Sequence, residues 1–76
     1  MYNKLNRNEV KKLNNRLKEE REKQQISQED LSKRSTVSRT IISELETNKT
    51  EVVTNVTLEK LARALGKKVT DIFFRD

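Results

Sequence analysis

The chain has no cysteine, no histidine, no proline and no tryptophan, and its 76 residues include only one glycine, one tyrosine and two phenylalanines. Without cysteine there is neither a disulfide staple nor thiolate chemistry. With histidine missing as well, the usual zinc ligands and the usual general base are both gone, so the composition argues against an enzyme, and no metal or other cofactor is expected. No apolar run approaches the roughly eighteen residues of a membrane helix, and no signal-peptide core is present. The expectation is a soluble cytoplasmic protein with no membrane partner. Leu, Ile, Val and Phe together make twenty residues, about a quarter of the chain, which suits one small domain rather than a disordered segment. A domain of this size buries only around 60% of its unfolded surface, so modest stability is expected.

What is abundant is charge: 17 Lys and Arg against 12 Asp and Glu, a net +5. The surplus is uneven. Residues 1–25 hold eight Lys and Arg against four Glu (+4), residues 26–50 hold four against four (0), and residues 51–76 hold five against four (+1). A basic balance invites a nucleic-acid partner. Non-specific affinity for nucleic acid comes mainly from phosphates neutralised by Lys and Arg, so a neutral middle segment implies a weak grip unless the chain dimerises. A solvated helix face would account for the basic N-terminal segment equally well.

The neutral middle segment carries the clearest local signals. Ser27-Gln28-Glu29-Asp30 places a Ser three residues ahead of an acid, a capping-box spacing in front of Leu31. Eleven residues later Ser38 can accept from the free amides of residues 39 to 41. At about 100° per residue, Val37, Ile41, Ile42 and Leu45 share one side of the second helix, and Thr40, Ser43 and Thr47 the other, flanked by Arg39 and Glu44. The apolar side needs a partner. The helix over 28–35 offers Leu31 inward and two small residues, Ser32 and Ser35, that permit close approach. Two short helices packed this way leave the far face of the second in solvent, the geometry of a helix-turn-helix reader.

Arg21, Ile26, Ser27-Gln28, Leu31, Val37-Ser38, Ile42, Leu45-Glu46, Leu58, Leu61-Ala62 and Leu65-Gly66 resemble, in order and near-register, the phage-repressor and Cro-like (XRE-type) helix-turn-helix family. The resemblance spans roughly residues 13 to 73. It implies an all-α, compact five-helix bundle of the lambda-repressor-like type, with helices at about 8–23, 28–35, 39–47, 55–65 and 70–74. It also implies that an Arg at position 21, where a Leu would continue the inward face, pairs structurally with Glu46. Glu46 lies about 40° from Ile42 on the helical wheel, at the edge of the apolar face, which agrees with such a pair. Three positions depart from the family pattern. Thr36 replaces a turn Gly, although a β-branched residue resists positive φ. Asn48 replaces another Gly more mildly, because Asn tolerates the left-handed cap. The connection 49–54 is longer, lacks the family's Pro, and is unexpectedly apolar at Val52-Val53.

Taken in order, residues 1–7 read as a loose arm from which Tyr2 and Leu5 could fold back. The remainder, 8–76, reads as one domain. Asn8 is a plausible cap for a first helix with Val10, Leu13 and Leu17 inward. Thr54 or Asn55 can cap the fourth helix, with Val56, Leu58, Leu61, Ala62 and Leu65 inward and Gly66 at its end. Adjacent Phe73 and Phe74 cannot both face one core, so with Val52 and Val53 they form a candidate dimer or partner interface.

The resemblance implies a sequence-specific double-stranded DNA-binding regulator of phage or mobile-element type, with the 39–47 helix in the major groove. The DNA-binding set is Gln28, Ser38, Arg39, Thr40, Ser43, Glu44, Thr47, Asn48 and Lys49. Arg39 could donate twice to guanine, Thr40 and Ser43 offer short hydroxyls, and the amide end of the 28–35 helix at Gln28 would meet a phosphate, as would Lys49. Glu44 repels phosphate and could only accept, for instance from cytosine N4. A homodimer is expected at least on DNA. The rival expectation is a protein-binding module, antirepressor-like or antitoxin-like, that uses the same scaffold to hold another regulator protein.

Overall fold

Five helices and four very short strands follow one another in the computed structural model, which describes residues 9–11, 14–49 and 52–74. They are β1 (Glu9–Lys11), β2 (Asn14–Asn15), α1 (Leu17–Lys23), α2 (Gln28–Ser35), α3 (Arg39–Glu46), β3 (Val52–Thr54), α4 (Asn55–Ala64), α5 (Val69–Ile72) and β4 (Phe73–Phe74). The fold is mainly helical, as expected, and the strands are minor additions. The expected arm over 1–7 and the inward position of Leu13 lie outside the described residues.

The first helix starts much later than its spacing predicts. Helix α1 begins at Leu17 rather than near residue 8, and Val10 lies in a strand. The physical reason is local. The Asn15 side-chain oxygen accepts from the Leu17 amide at 3.1 Å, and its Nδ2 donates to the Leu45 carbonyl at 3.1 Å. An Asn that bonds nearby backbone in this way competes with helix continuation. The Arg16 amide, which a longer helix would direct inward along its own axis, donates instead to the Ile72 carbonyl at 2.8 Å.

Both strand pairs are antiparallel. Val10 faces Val53 across β1 and β3, and Asn15 faces Phe73 across β2 and β4. The 49–54 connection is therefore no simple loop, because its Val52-Val53-Thr54, β-branched throughout, is a strand.

Four helix ends are shaped by left-handed residues, and they use two motifs. Helices α1, α3 and α4 close with paired bonds: Ile26 to Arg21 and Gln25 to Glu22, Lys49 to Glu44 and Asn48 to Leu45, Lys67 to Ala62 and Gly66 to Arg63. The residues that turn the chain are Gln25 (φ 57°), Asn48 (φ 58°) and Gly66 (φ 68°). Helix α2 ends on a single bond, Thr36 amide to Ser32 carbonyl, with Thr36 itself at φ 62°. A β-branched residue is held there in the left-handed region.

The core is one cluster. Leu17, Leu31, Ile42, Leu58, Leu61 and Ile72 are fully buried, and Ile26, Val37, Leu45, Ala62, Leu65 and Phe73 close around them. Leu58, Leu61, Ala62 and Leu65 follow the i, i+3, i+4, i+7 spacing of one helix face. Val56 does not join them and is 51% exposed. It stands two residues, about 200°, from Leu58, so the two cannot share a face.

Phe73 corrects a further expectation. It is 4% exposed and belongs to the core, so of the adjacent pair it is the one that faces inward. Alternation along β4 turns Phe74 the other way, where it is half-buried with the Arg16 guanidinium 5.1 Å above its ring centroid. Val53 is half-buried against the core.

Candidate nucleic-acid interface

Helices α2 and α3 are separated by three residues, Thr36, Val37 and Ser38, and the turn is tied by side chains on both sides. Ser27 Oγ accepts from the Asp30 amide at 3.0 Å to start α2, and Ser38 Oγ accepts from the Ile41 amide at 3.2 Å to start α3. The small residues expected to allow close helix approach also bond the turn. Ser32 Oγ donates to the Val37 carbonyl at 2.6 Å, and the Val37 amide donates to Ser35 Oγ at 3.1 Å. Val37, 6% exposed, is thereby pinned into the core. Both helices have their register fixed before α3 begins.

Helix α3 sits with Ile42 and Leu45 buried and its other side open. Gln28, Arg39, Thr40, Ser43, Glu44, Thr47 and Lys49 line one shallow groove along that open side. Seven of the nine expected DNA-binding residues are thus brought together. Ser38 is engaged in capping α3, and Asn48 turns the chain at its other end. Two cations and one carboxylate line the groove, so its charge is close to balanced, slightly positive. Thr47 Oγ1 donates to the Ser43 carbonyl at 2.9 Å, which occupies its proton but leaves its lone pairs.

Under the groove lies an ion pair. Arg21 Nε is 2.7 Å from Glu46 Oε2 and Nη2 is 3.0 Å from Oε1, a bidentate fork between α1 and α3. A third donor, Nη1, reaches the Ile26 carbonyl at 2.8 Å. The two side chains are 11% and 2% exposed, so both charges are largely out of water. Hydrogen bonding to Glu46, outweighing the opposing effect of burial, holds the Arg21 guanidinium above its ordinary pKa. Among the described residues no buried polar side-chain atom lacks a partner.

The phosphate contact expected at Gln28 belongs to the amide end of α2, and its side chain is engaged within the domain. Its Nε2 donates to Glu46 Oε1 at 3.0 Å, and its Oε1 faces Arg39 Nε at 3.5 Å, the outer limit of a hydrogen bond. Sequence reasoning also missed Asn15, which ties the C-terminal turn of α3 to β2. Its only signal was an Asn pair inside a helix-like spacing. Gln24, whose Nε2 donates to the Leu65 carbonyl at 2.8 Å, likewise clamps α1 to the end of α4. Lys67 adds a 3.9 Å contact to Glu20 across the same junction.

A second groove at the α4–α5 corner is lined by Glu59, Ala62, Arg63, Gly66, Lys67, Lys68 and Val69. Among the described residues no group of acidic side chains could hold a metal ion, and no helix is long and apolar enough to cross a membrane.

Two capped helices, a three-residue turn and an open polar face on the second helix define a helix-turn-helix unit. A family model described as helix-turn-helix matches residues 17–72, most of the chain. The chain belongs to the XRE-type, phage-repressor and Cro-like helix-turn-helix family of DNA-binding regulators. The match begins where α1 begins, so β1 and β2 lie outside it. A comparison with curated proteins returns no match.

Proposed function

We propose that the protein is a sequence-specific double-stranded DNA-binding transcriptional regulator that lays α3 in the major groove. The observation that carries this reading is the division of α3 itself. Ile42 and Leu45 anchor it in the core while Arg39, Thr40, Ser43, Glu44 and Thr47 line the open groove. Eight helical residues span roughly 12 Å, the scale of a B-DNA major groove.

In this reading Arg39 donates its guanidinium fork to guanine O6 and N7, and the Thr40 and Ser43 hydroxyls meet base edges or phosphates. Lys49, just past the end of α3, contacts phosphate and sets register rather than sequence. Glu44 selects against most bases and accepts from cytosine N4. A single α3 reaches only a few base pairs, so two copies on a two-fold-related site are the working form on DNA. The modest charge of the groove makes the contribution of a second copy necessary. A phage or mobile-element setting follows from the family resemblance alone.

The protein-binding alternative draws on Glu44 and on exposed apolar surface. Among the described side chains Phe73 is in the core, Val53 is half-buried and Val56 is the exposed large hydrophobic, so little of that apolar surface is open there. Selection from a random duplex pool decides between the two. A regulator enriches a motif whose binding weakens steeply with salt. A modulator enriches none, and tagged protein recovers a second regulator from its host.

A further inference from the structure

The more cationic of the two grooves is not the one along α3. The groove at the α4–α5 corner carries Arg63, Lys67 and Lys68 against Glu59 alone, three cations to one carboxylate, whereas the α3 groove carries two to one. The two share no lining residue. Their bases differ as well. Thr40, Ser43 and Thr47 put hydroxyls along the α3 groove, while the corner is mostly apolar between its charges, with buried Ala62 and half-buried Val69 at its base.

Cations at the end of a helix usually have a local role: they donate to its last carbonyls and suit its dipole. At the end of α4 those carbonyls already have donors. The Ala62 carbonyl accepts from the Lys67 amide at 2.9 Å, the Arg63 carbonyl from the Gly66 amide at 3.0 Å, and the Leu65 carbonyl from Gln24 Nε2 at 2.8 Å. Among the described residues the exposed side chains of Arg63 and Lys68 have no hydrogen-bond or ion-pair partner. Lys67 reaches only Glu20, at 3.9 Å, and that carboxylate also holds Lys23 at 3.4 Å. The dipole explains a mild preference for positive charge there, but not the apolar base between the charges.

A cationic rim around an apolar base matches a ligand of the opposite pattern, anionic at its edges and apolar in the middle. A duplex backbone is the poorer match. It presents phosphates rather than an apolar face, and Glu59 repels it.

We infer that the α4–α5 corner is a second binding surface, which takes an acidic amphipathic segment of another protein. An apolar side chain of that segment seats over Ala62 and Val69, and its carboxylates meet Arg63, Lys67 and Lys68. The surface is separate from the α3 groove and does not depend on α3 reading DNA.

The test is an NMR titration of the whole chain with a synthetic helical peptide of about fourteen residues that carries Leu at helical spacing and Glu on either side. Two control peptides replace Glu by Lys, or Leu by Ser. Gly66 is the one glycine of the chain, so its amide gives an isolated signal at the corner. The Glu peptide should shift Gly66 and Val69 saturably, with Ser43 and Thr47 in the α3 groove unmoved, and neither control should do so. Arg63→Glu combined with Lys68→Glu reverses two rim charges that have no partner within the domain and spares Lys67, which touches Glu20. The reversed protein should bind the Glu peptide at least about fourfold more weakly, since an exposed pair is worth about 1.4- to 5-fold and reversal turns each attraction into a repulsion. It should instead accept the Lys peptide. Arg63→Gln with Lys68→Gln, a milder pair, should weaken the Glu peptide without accepting the Lys one.

No shift at Gly66 up to about 1 mM Glu peptide would overturn the inference. So would an equal response to the Ser-containing peptide, which would leave the apolar base without a role. A short duplex that moves Gly66 while the Glu peptide does not would make the corner a nucleic-acid surface, and movement of the same signals on diluting the protein alone would make it a contact between two copies; either result overturns the proposal. None of these outcomes bears on whether α3 selects a motif from the duplex pool.

Discussion

Replacing Arg21 with Met tests whether the α1–α3 ion pair holds the domain together. Among the described residues the substitution leaves Glu46, 2% exposed, with one side-chain donor in place of three, Gln28 Nε2 at 3.0 Å. It also removes the 2.8 Å donor to the carbonyl of Ile26, itself a core residue. Breaking a buried pair from one side costs about 3–5 kcal/mol, and a carbonyl left without its donor about 1–3 kcal/mol. These losses overlap, so about 4 kcal/mol is expected. A domain of 76 residues has roughly 4–11 kcal/mol in total at 0.05–0.15 kcal/mol per residue. Arg21→Met should therefore lose between about a third and all of the folding stability at room temperature in the absence of ligand. The assay is urea unfolding followed by far-ultraviolet circular dichroism, for wild type, Arg21→Met, Glu46→Met and the double variant. Arg21→Lys is a further variant that retains the charge but loses the fork. Because the double variant leaves no unpaired charge, it should lose at least about 2 kcal/mol less than the sum of the single variants. Additivity within about 0.5 kcal/mol would refute the reasoning, since it would mean that the two groups are solvated independently.

Thr36→Gly should stabilise the protein: relief of a left-handed β-branched residue is worth about 1–2 kcal/mol, and the added freedom of glycine in the unfolded chain takes back about 0.5–1 kcal/mol. A melting temperature a few degrees higher is the expected outcome, and a lower one would show that the Thr36 hydroxyl, which donates to the Ser35 carbonyl, outweighs the strain. Phe73→Glu should unfold the domain, with a loss of at least about 3 kcal/mol by the same urea assay, whereas Phe74→Glu should cost under about 1 kcal/mol; equal costs would contradict the alternation along β4. Because Phe73 is in the core, sedimentation of Phe74→Glu alone is the informative comparison for assembly, and a dimer on DNA that persists in this variant would place the contact elsewhere.

The helix-turn-helix unit was legible because its signals are local. Ser27 and Ser38 announce two helix starts, and Leu31, Ile42 and Leu45 fall inward at spacings that any straight helix imposes. The α4 core face was legible for the same reason, apart from Val56, which belongs to the apolar count but not to the face. The N-terminal region was not legible. Val10, Leu13 and Leu17 have helical spacing, and the competing partner of Val10 is Val53, far away in the chain. Periodicity within a segment cannot register a strand pairing that depends on a distant segment. Phe73 and Phe74 posed a different problem. Only one could be inside, and the choice depends on where α5 ends and β4 begins, a boundary that local propensity does not resolve. In the groove, residue types were legible but contacts were not. Nothing local to Gln28 announces that its side chain lies between Glu46 and Arg39.

The measurement that tests the central claim most directly is a comparison of Arg39→Ala and Lys49→Ala across single-base variants of the selected duplex, each titrated at two salt concentrations. If α3 reads the major groove, Arg39→Ala loses about 1–3 kcal/mol at one base position and becomes indifferent to that base, while Lys49→Ala weakens every duplex alike and lowers the salt slope by about one. If both variants weaken all duplexes equally, or if neither changes binding, α3 is not the reading element and the groove serves some other partner.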